Sequence, residues 1–265
     1  MDATWDELGT GVFRRRYASL DLNVGLVLGE RGALIIDTRA SHGQARELLS
    51  ELRRVTALPV KWVVNTHWHW DHTFGNAIFA GVPVYGHERC RERLLSEGAA
   101  AKLDAIGWVG EEHRAAIEEV EITPPRLLLA DSLSIDLGTR TVELRHHGLA
   151  HTDNDVVVAV PDADVLFAGD VLENGAPPYM GDGYPLAWPD TVAAFAPQSG
   201  VVVPGHGDVM TPGQVATQLA DLRVVAEMCA ASLEGAEYDA GSGPFPPDTM
   251  ETAWDRAVAE AQISP

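Results

Sequence analysis

Short apolar runs that end in turn residues recur along the whole chain, and helical spacing breaks in between them. NVGLVLG, then ERG, then ALIIDT reads as a hairpin whose second strand ends at Asp37. A helix is predicted over 42–55, with Leu48, Leu49 and Leu52 on one face, followed by a buried strand in VKWVVNT and a short helix across HTFGNAIF. VPVYG is a further strand, after which helices are predicted at about 87–103 and within 110–120. Beyond TPPR the chain returns to strands, with DLGTR as a tight turn inside LLLADSLSIDLGTRTVELRHHG. DVVVAV, DVLFAGD and VVVPGHG follow, each an apolar run that closes on polar groups. Helices are predicted at 190–197 and 212–235, a loop at 240–247, and a last helix over DTMETAWDRAVAEAQ. With no internal repeat and no linker, residues 1–265 are read as one domain of sheets covered by helices.

Composition narrows the function. The 265 residues are 46% hydrophobic and 22% charged, the balance of a folded soluble chain. Acidic residues outnumber basic ones 39 to 19, for a formal charge of -20, which argues against a nucleic-acid partner because phosphate binding needs clustered Lys and Arg. The basic FRRRY segment, 13–17, is expected to be a solvated strand edge. Cys90 and Cys229 form no redox or metal motif. MDATWDELGTG lacks the pattern of a secretory signal and no stretch of about 20 apolar residues occurs, so the expectation is a cytoplasmic protein with no membrane contact.

The chemistry starts in VVNTHWHWDHTFGN, which sets His67, His69 and His72 around Asp71. Imidazoles two apart can share a metal ion, but a complete site needs more ligands. Three later runs offer them: His151 in GLAHTDND, Asp170 in FAGD and His206 in PGHG. Ligands gather beyond the carboxyl ends of strands in α/β sheets, so these segments can converge without being neighbours in sequence. A lone histidine after a strand would mean little; the recurrence points to a metal centre.

With HWHWDH, GLAHTDND, FAGD and PGHG in this order, the sequence resembles the metallo-β-lactamase superfamily. The resemblance implies an α/β fold, a four-layer αββα sandwich, with a ligand core over 67–206 and helices over 207–265. It also implies one metal ion on His67, His69 and His151, a second on Asp71, His72 and His206, and Asp170 bridging them. Two Zn²⁺ per chain suit these nitrogen and carboxylate donors, and the ligand types leave iron or manganese open. A water on such a metal is acidified to a pKa of about 7, which makes a hydroxide nucleophile available, with Asp71 placed to orient it or carry its proton.

The expected activity is hydrolysis of a small ester, thioester or lactone, since glyoxalase II-like enzymes and lactonases of this family share the bridging Asp. A β-lactamase is the lesser reading: no Lys follows Asp170 to meet a substrate carboxylate, Lys61 and Lys102 being the only lysines. A mononuclear iron persulfide dioxygenase also keeps the His-x-His-x-Asp-His motif and stays open as an alternative. The Gly- and Pro-rich segment 173–190 is expected to carry specificity, with Tyr179, Tyr184 and Trp188 as candidate pocket walls. Trp68 and Trp70 are expected to pack beneath the metal loop. His146 and His147 are left out of the ligand set, and His42, His87 and His113 are read as surface residues. The oligomeric state is left open.

Overall fold

Side-chain alternation along single strands sets the layers. On β4 (Gly32–Ile36), Leu34 and Ile36 enter one core while Ala33 and Ile35 enter another. On β11 (Val165–Asn174), Val165 and Phe167 face the first core and Leu166 and Ala168 a third. Strands buried on both faces read as unbroken apolar runs, which is why ALII and VLFA carry so little polar punctuation. A computed structural model describes residues 4–196 and 200–263.

The first sheet runs β1 (Asp6–Gly9), β2 (Val12–Arg16), β3 (Asn23–Gly29), β4, β5 (Val60–Val64), β6 (Val84–His87), β7 (Leu127–Leu129), in that spatial order. Its β1 to β4 pairs are antiparallel and its β4 to β7 pairs parallel. The second sheet runs β12 (Val201–Gly207), β11, β10 (Val157–Val160), β9 (Thr141–Arg145), β8 (Ser132–Asp136), with β11 and β12 parallel. The inner faces of the two sheets meet through Val27, Leu34, Val64, Leu144, Val158 and Phe167. α1 (His42–Val55) covers the outer face of the first sheet with Ala45, Leu48 and Leu52. α5 (Trp188–Phe195), α6 (Pro212–Leu233) and α7 (Pro247–Ile263) cover the second. These layers make the expected αββα sandwich.

Local signals explain the helix limits. Ser41 accepts from the Gln44 N–H to start α1, and Arg53 and Arg54 lie in its last turn, where cations suit the helix dipole. Thr211 and Gln214 form a capping box that starts α6. Between β5 and β6 lies the one-turn α2 (Trp70–Thr73), followed by a 3₁₀ turn. After β6 come α3 (Glu88–Val109) and α4 (Arg114–Glu118). Position 197 of the predicted 190–197 helix lies outside the described residues, as do the first three residues and the last two. Among the described residues, no helix is long and apolar enough to cross a membrane.

Three expectations need correction. α3 continues to Val109, past the predicted 103, and ends at Gly110, whose φ of +93 leaves the helical region while its N–H closes on the Ile106 carbonyl. FRRRY is no edge: β2 lies between β1 and β3, and Arg14, Arg15 and Arg16 pair with Asp6, Glu51 and Asp21. His42 and His87 are buried rather than on the surface. His42 Nε2 accepts from the Glu121 N–H, while His87 Nδ1 accepts from Arg89 N–H to cap α3 and its Nε2 reaches the Ala130 carbonyl at 3.0 Å. His113 is exposed, as expected.

Candidate metal centre

The parallel strands β4, β5, β11 and β12 deliver their carboxyl ends to one rim of the sandwich. β5 runs into Thr66, His67 and His69, with Asp71 and His72 in α2; the loop after β9 brings His151, β11 carries Asp170 and β12 carries His206. Two glycines make this approach feasible. A Cβ at Gly205 would stand 1.7 Å from Asp170 Oδ1, and Gly169 holds φ +55 with its α-carbon against Thr66.

All seven predicted ligands gather in two sets: His67, His69, His151 and Asp170, and Asp71, His72 and His206. Asp170 lies between them, with Oδ2 at 3.6 Å from His67 Nε2, 3.5 Å from His151 Nε2 and 3.3 Å from His206 Nε2, and Oδ1 at 3.2 Å from His72 Nε2. Asp71 Oδ2 is 3.3 Å from His206 Nε2 and 3.5 Å from His72 Nε2.

The outward nitrogen of each imidazole meets a hydrogen-bond acceptor. His72 Nδ1 lies 2.8 Å from Asp37 Oδ2, His206 Nδ1 2.7 Å from the Leu20 carbonyl and His151 Nδ1 3.1 Å from the Tyr179 carbonyl. His67 Nδ1 is 3.1 Å from Thr66 Oγ1, whose own proton goes to Asp37. His69 is reversed, with Nε2 3.1 Å from Asp182 Oδ1 and Nδ1 turned inward. Acceptors on the outer side fix the tautomer, so each neutral ring aims a lone pair at the cluster centre.

That arrangement fits a metal ion. His69 Nδ1 and His151 Nε2 face each other at 2.9 Å, each aiming a lone pair at the other. His67 Nε2 and Asp170 Oδ1 are buried with no hydrogen-bond partner, a costly state that a cation relieves. Against the effect of burial, Asp170, Asp71 and Asp37 hold the His72 imidazole well above its usual pKa, so the cluster already attracts positive charge.

The supporting residues are as informative as the ligands. Asp37, at the predicted end of the hairpin's second strand, adopts φ +66 while its carboxylate takes the Thr66 N–H, the Thr66 hydroxyl and His72. Asp182 escaped the sequence reading; it also accepts from Trp68 Nε1 at 3.0 Å, and although burial opposes it, His69 holds its carboxyl low. Burial, with Asp170 nearby, pushes Glu173 up to about 8, and its carboxyl accepts from Tyr179 N–H. No spacing cue marks Asp182 or Glu173 in the sequence.

A cleft of about 1140 Å³ opens above the cluster. Tyr179 lines it, with Trp68 and Trp70 lower down. The other two aromatics proposed for the wall lie elsewhere. Trp188 is fully buried in the core with Nε1 on the Val171 carbonyl, and Tyr184 is buried at 7% exposure behind the loop, beneath Arg256. α5 begins at Trp188, so its apolar face turns that ring into the sandwich, while Tyr184, ahead of the helix, is held by its N–H on the Ala150 carbonyl. His146 and His147 stand outside the cluster: His146 Nδ1 bonds the Asp155 carbonyl and His147 packs on Phe195.

The metallo-beta-lactamase superfamily model matches residues 20–224. A linear primary-alkylsulfatase from a Pseudomonas species is 24% identical over 69% of this chain, which spans only 40% of that protein's length. A type 2 metallo-beta-lactamase from Bacteroides fragilis is 24% identical over 69% of this chain and 68% of its own. Among solved structures, a metallo-beta-lactamase from Pontibacter korlensis superposes with a TM-score of 0.66 at 23% identity, covering 83% of this chain and 98% of that one.

Proposed function

The chain belongs to the metallo-β-lactamase superfamily; from that premise we propose that it is a dinuclear zinc enzyme hydrolysing a small ester, thioester or lactone. The observation that carries the reading is the set of five imidazoles whose outward nitrogens are all engaged by acceptors, leaving the inward ones to converge on Asp170 and Asp71. His67, His69 and His151 would hold one ion, Asp71, His72 and His206 the other, and Asp170 both. Zinc suits this nitrogen and carboxylate donor set. A mononuclear dioxygenase would share Asp71 and His72 with this set, so the number and identity of the bound ions separate the two readings. The pair would supply an acidified water, with a pKa of about 7, and a Lewis acid for the scissile carbonyl.

The chain's own residues supply the rest. Asp71 lines the cleft and presents Oδ2 toward the cluster, where it orients the attacking water and takes its proton. Asp37, Asp182 and the carbonyls of Leu20 and Tyr179 hold the imidazoles in their ligating tautomers. Trp68 and Trp70 close the floor of the cleft. The family match takes in every ligand and most of both sheets, which supports reading 1–265 as a single domain, and the acidic composition, unsuited to a polyanion, supports a small-molecule substrate.

The test is a panel of esters, thioesters and lactones offered to the zinc-loaded protein and to Asp71→Ala. Loss of proton handling at this position costs about 10²- to 10⁴-fold in turnover, with the circular dichroism spectrum retained. Near-normal turnover by Asp71→Ala would sink the mechanism.

A further inference from the structure

The large apolar side chains that the fold leaves in water are not spread evenly. Among the described residues, the two aromatic ones are Trp108, 63% exposed, and Tyr179, 44% exposed, and both line the cleft over the metal-ligand cluster. Their rings meet edge-on with centroids 6.0 Å apart, although one comes from the end of α3 and the other from the segment after β11. Leu103, 67% exposed and five residues earlier in α3, also lines the cleft, as do Pro177 and Pro178. Exposed apolar surface rimmed by polar groups marks a ligand site, and here it continues directly into the floor that holds the ligand histidines.

The charges around this wall are one-sided. Among the described residues lining the cleft, Arg93 is the one Lys or Arg side chain, and it is already committed to Glu97 at 2.8 Å and Asp153 at 3.1 Å. Asp21, Asp104 and Asp248 stand on the same lining. Arg256 lies behind the loop, where it donates to the carbonyls of Gly183 and Asp182. At the mouth, away from the metal ions proposed for the floor, a carboxylate would meet Asp104 and Asp248 and no Lys or Arg beyond the paired Arg93, and like charges across an interface select against a partner.

We propose that the cleft takes a carbonyl substrate bearing a large, uncharged apolar group, laid against Trp108, Tyr179 and Leu103, and rejects molecules in which that group ends in a carboxylate. The inference rests on the hydrolase reading for the scissile group, and on the wall and its charges for the rest. Trp108 and Leu103 are thereby the specificity-determining residues of α3.

The test uses γ-butyrolactams with γ-alkyl chains from methyl to nonyl, which bind without being hydrolysed, each with a matched ω-carboxylate, titrated calorimetrically into the metal-loaded protein. A fully buried methylene is worth about fourfold and a half-covered one about twofold in affinity. The alkyl series is expected to climb about twofold per carbon, and the ω-carboxylates to bind about tenfold more weakly than their neutral partners. Trp108→Ala flattens the series, whereas Leu95→Ala, at an exposed position of α3 away from the cleft lining, leaves it steep. A flat wild-type series, or tighter binding of the ω-carboxylates, would overturn the assignment whatever the enzyme does with lactones. Steep lactam binding without hydrolysis of any corresponding lactone would instead sink the hydrolase reading and leave the ligand class standing.

Discussion

At the floor of the cleft the His72 side chain is 0% exposed and both ring nitrogens face carboxylates, Asp37 on one side and Asp170 on the other. At the mouth Trp108 is 63% exposed and meets Tyr179 edge-on. The floor is held by strand ends, buried hydrogen bonds and a strained Asp37, so its geometry is over-determined; the mouth is a helix end and a Pro-rich segment, free to differ without disturbing the sandwich. Chemistry therefore belongs to the floor and selection to the mouth, and substitutions in the two regions should fail in different ways.

The largest effect is expected at Gly205. Alanine there would put a Cβ 1.7 Å from Asp170 Oδ1 and displace the carboxylate both ligand sets share. Turnover should fall by about 10²-fold or more, as misplacement by an ångström does, in steady-state assays. Retained activity would show that the floor is less constrained than its packing indicates. Asp182→Asn comes next: losing the carboxylate behind a metal-ligating imidazole costs about 10- to 100-fold in metal affinity, measured by chelator competition, and an unchanged affinity would remove Asp182 from the account.

A smaller effect concerns the helix that joins the two regions. Burial, with His146 nearby, pushes the His87 imidazole down to about 4 from an ordinary 6.5. The folded protein therefore resists a proton that the unfolded chain takes up, and stability is lost as pH falls from about 6.5 toward 4. Protonation at Nδ1 would also break the bond to Arg89 N–H and set a cation at the N-terminus of α3. In His87→Asn, which keeps a capping group without the charge, thermal unfolding should be less sensitive to acid across that window. The smallest effect is expected from Trp108→Ala, which should leave thermal stability within about 0.5 kcal/mol; a marked loss would make Trp108 part of the sandwich's support.

The same division explains what the sequence discloses. Strand ends carry their ligands in short motifs, so all seven cluster residues were legible, as were the two sheets and nearly every helix. Alternation cannot show what lies across a gap: Asp182 meets His69 over 113 residues of chain, and nothing in GDG announces it. His42 and His87 read as surface groups because their partners, Glu121 N–H and the Ala130 carbonyl, arrive from distant segments. Tyr179 and Trp188 look alike in a loop-like stretch, yet the start of α5 sends Trp188 into the core while Tyr179 stays at the mouth. Trp108 lies beyond the predicted end of α3, in the last turn that the helix adds up to Val109.

The central claim is that the converging imidazoles and carboxylates hold two metal ions. Elemental analysis of protein purified without chelators or affinity metal tests it most directly. The account predicts about two zinc ions per chain, falling on Asp170→Ala. One iron per chain, or no metal retained by a correctly folded protein, would contradict it.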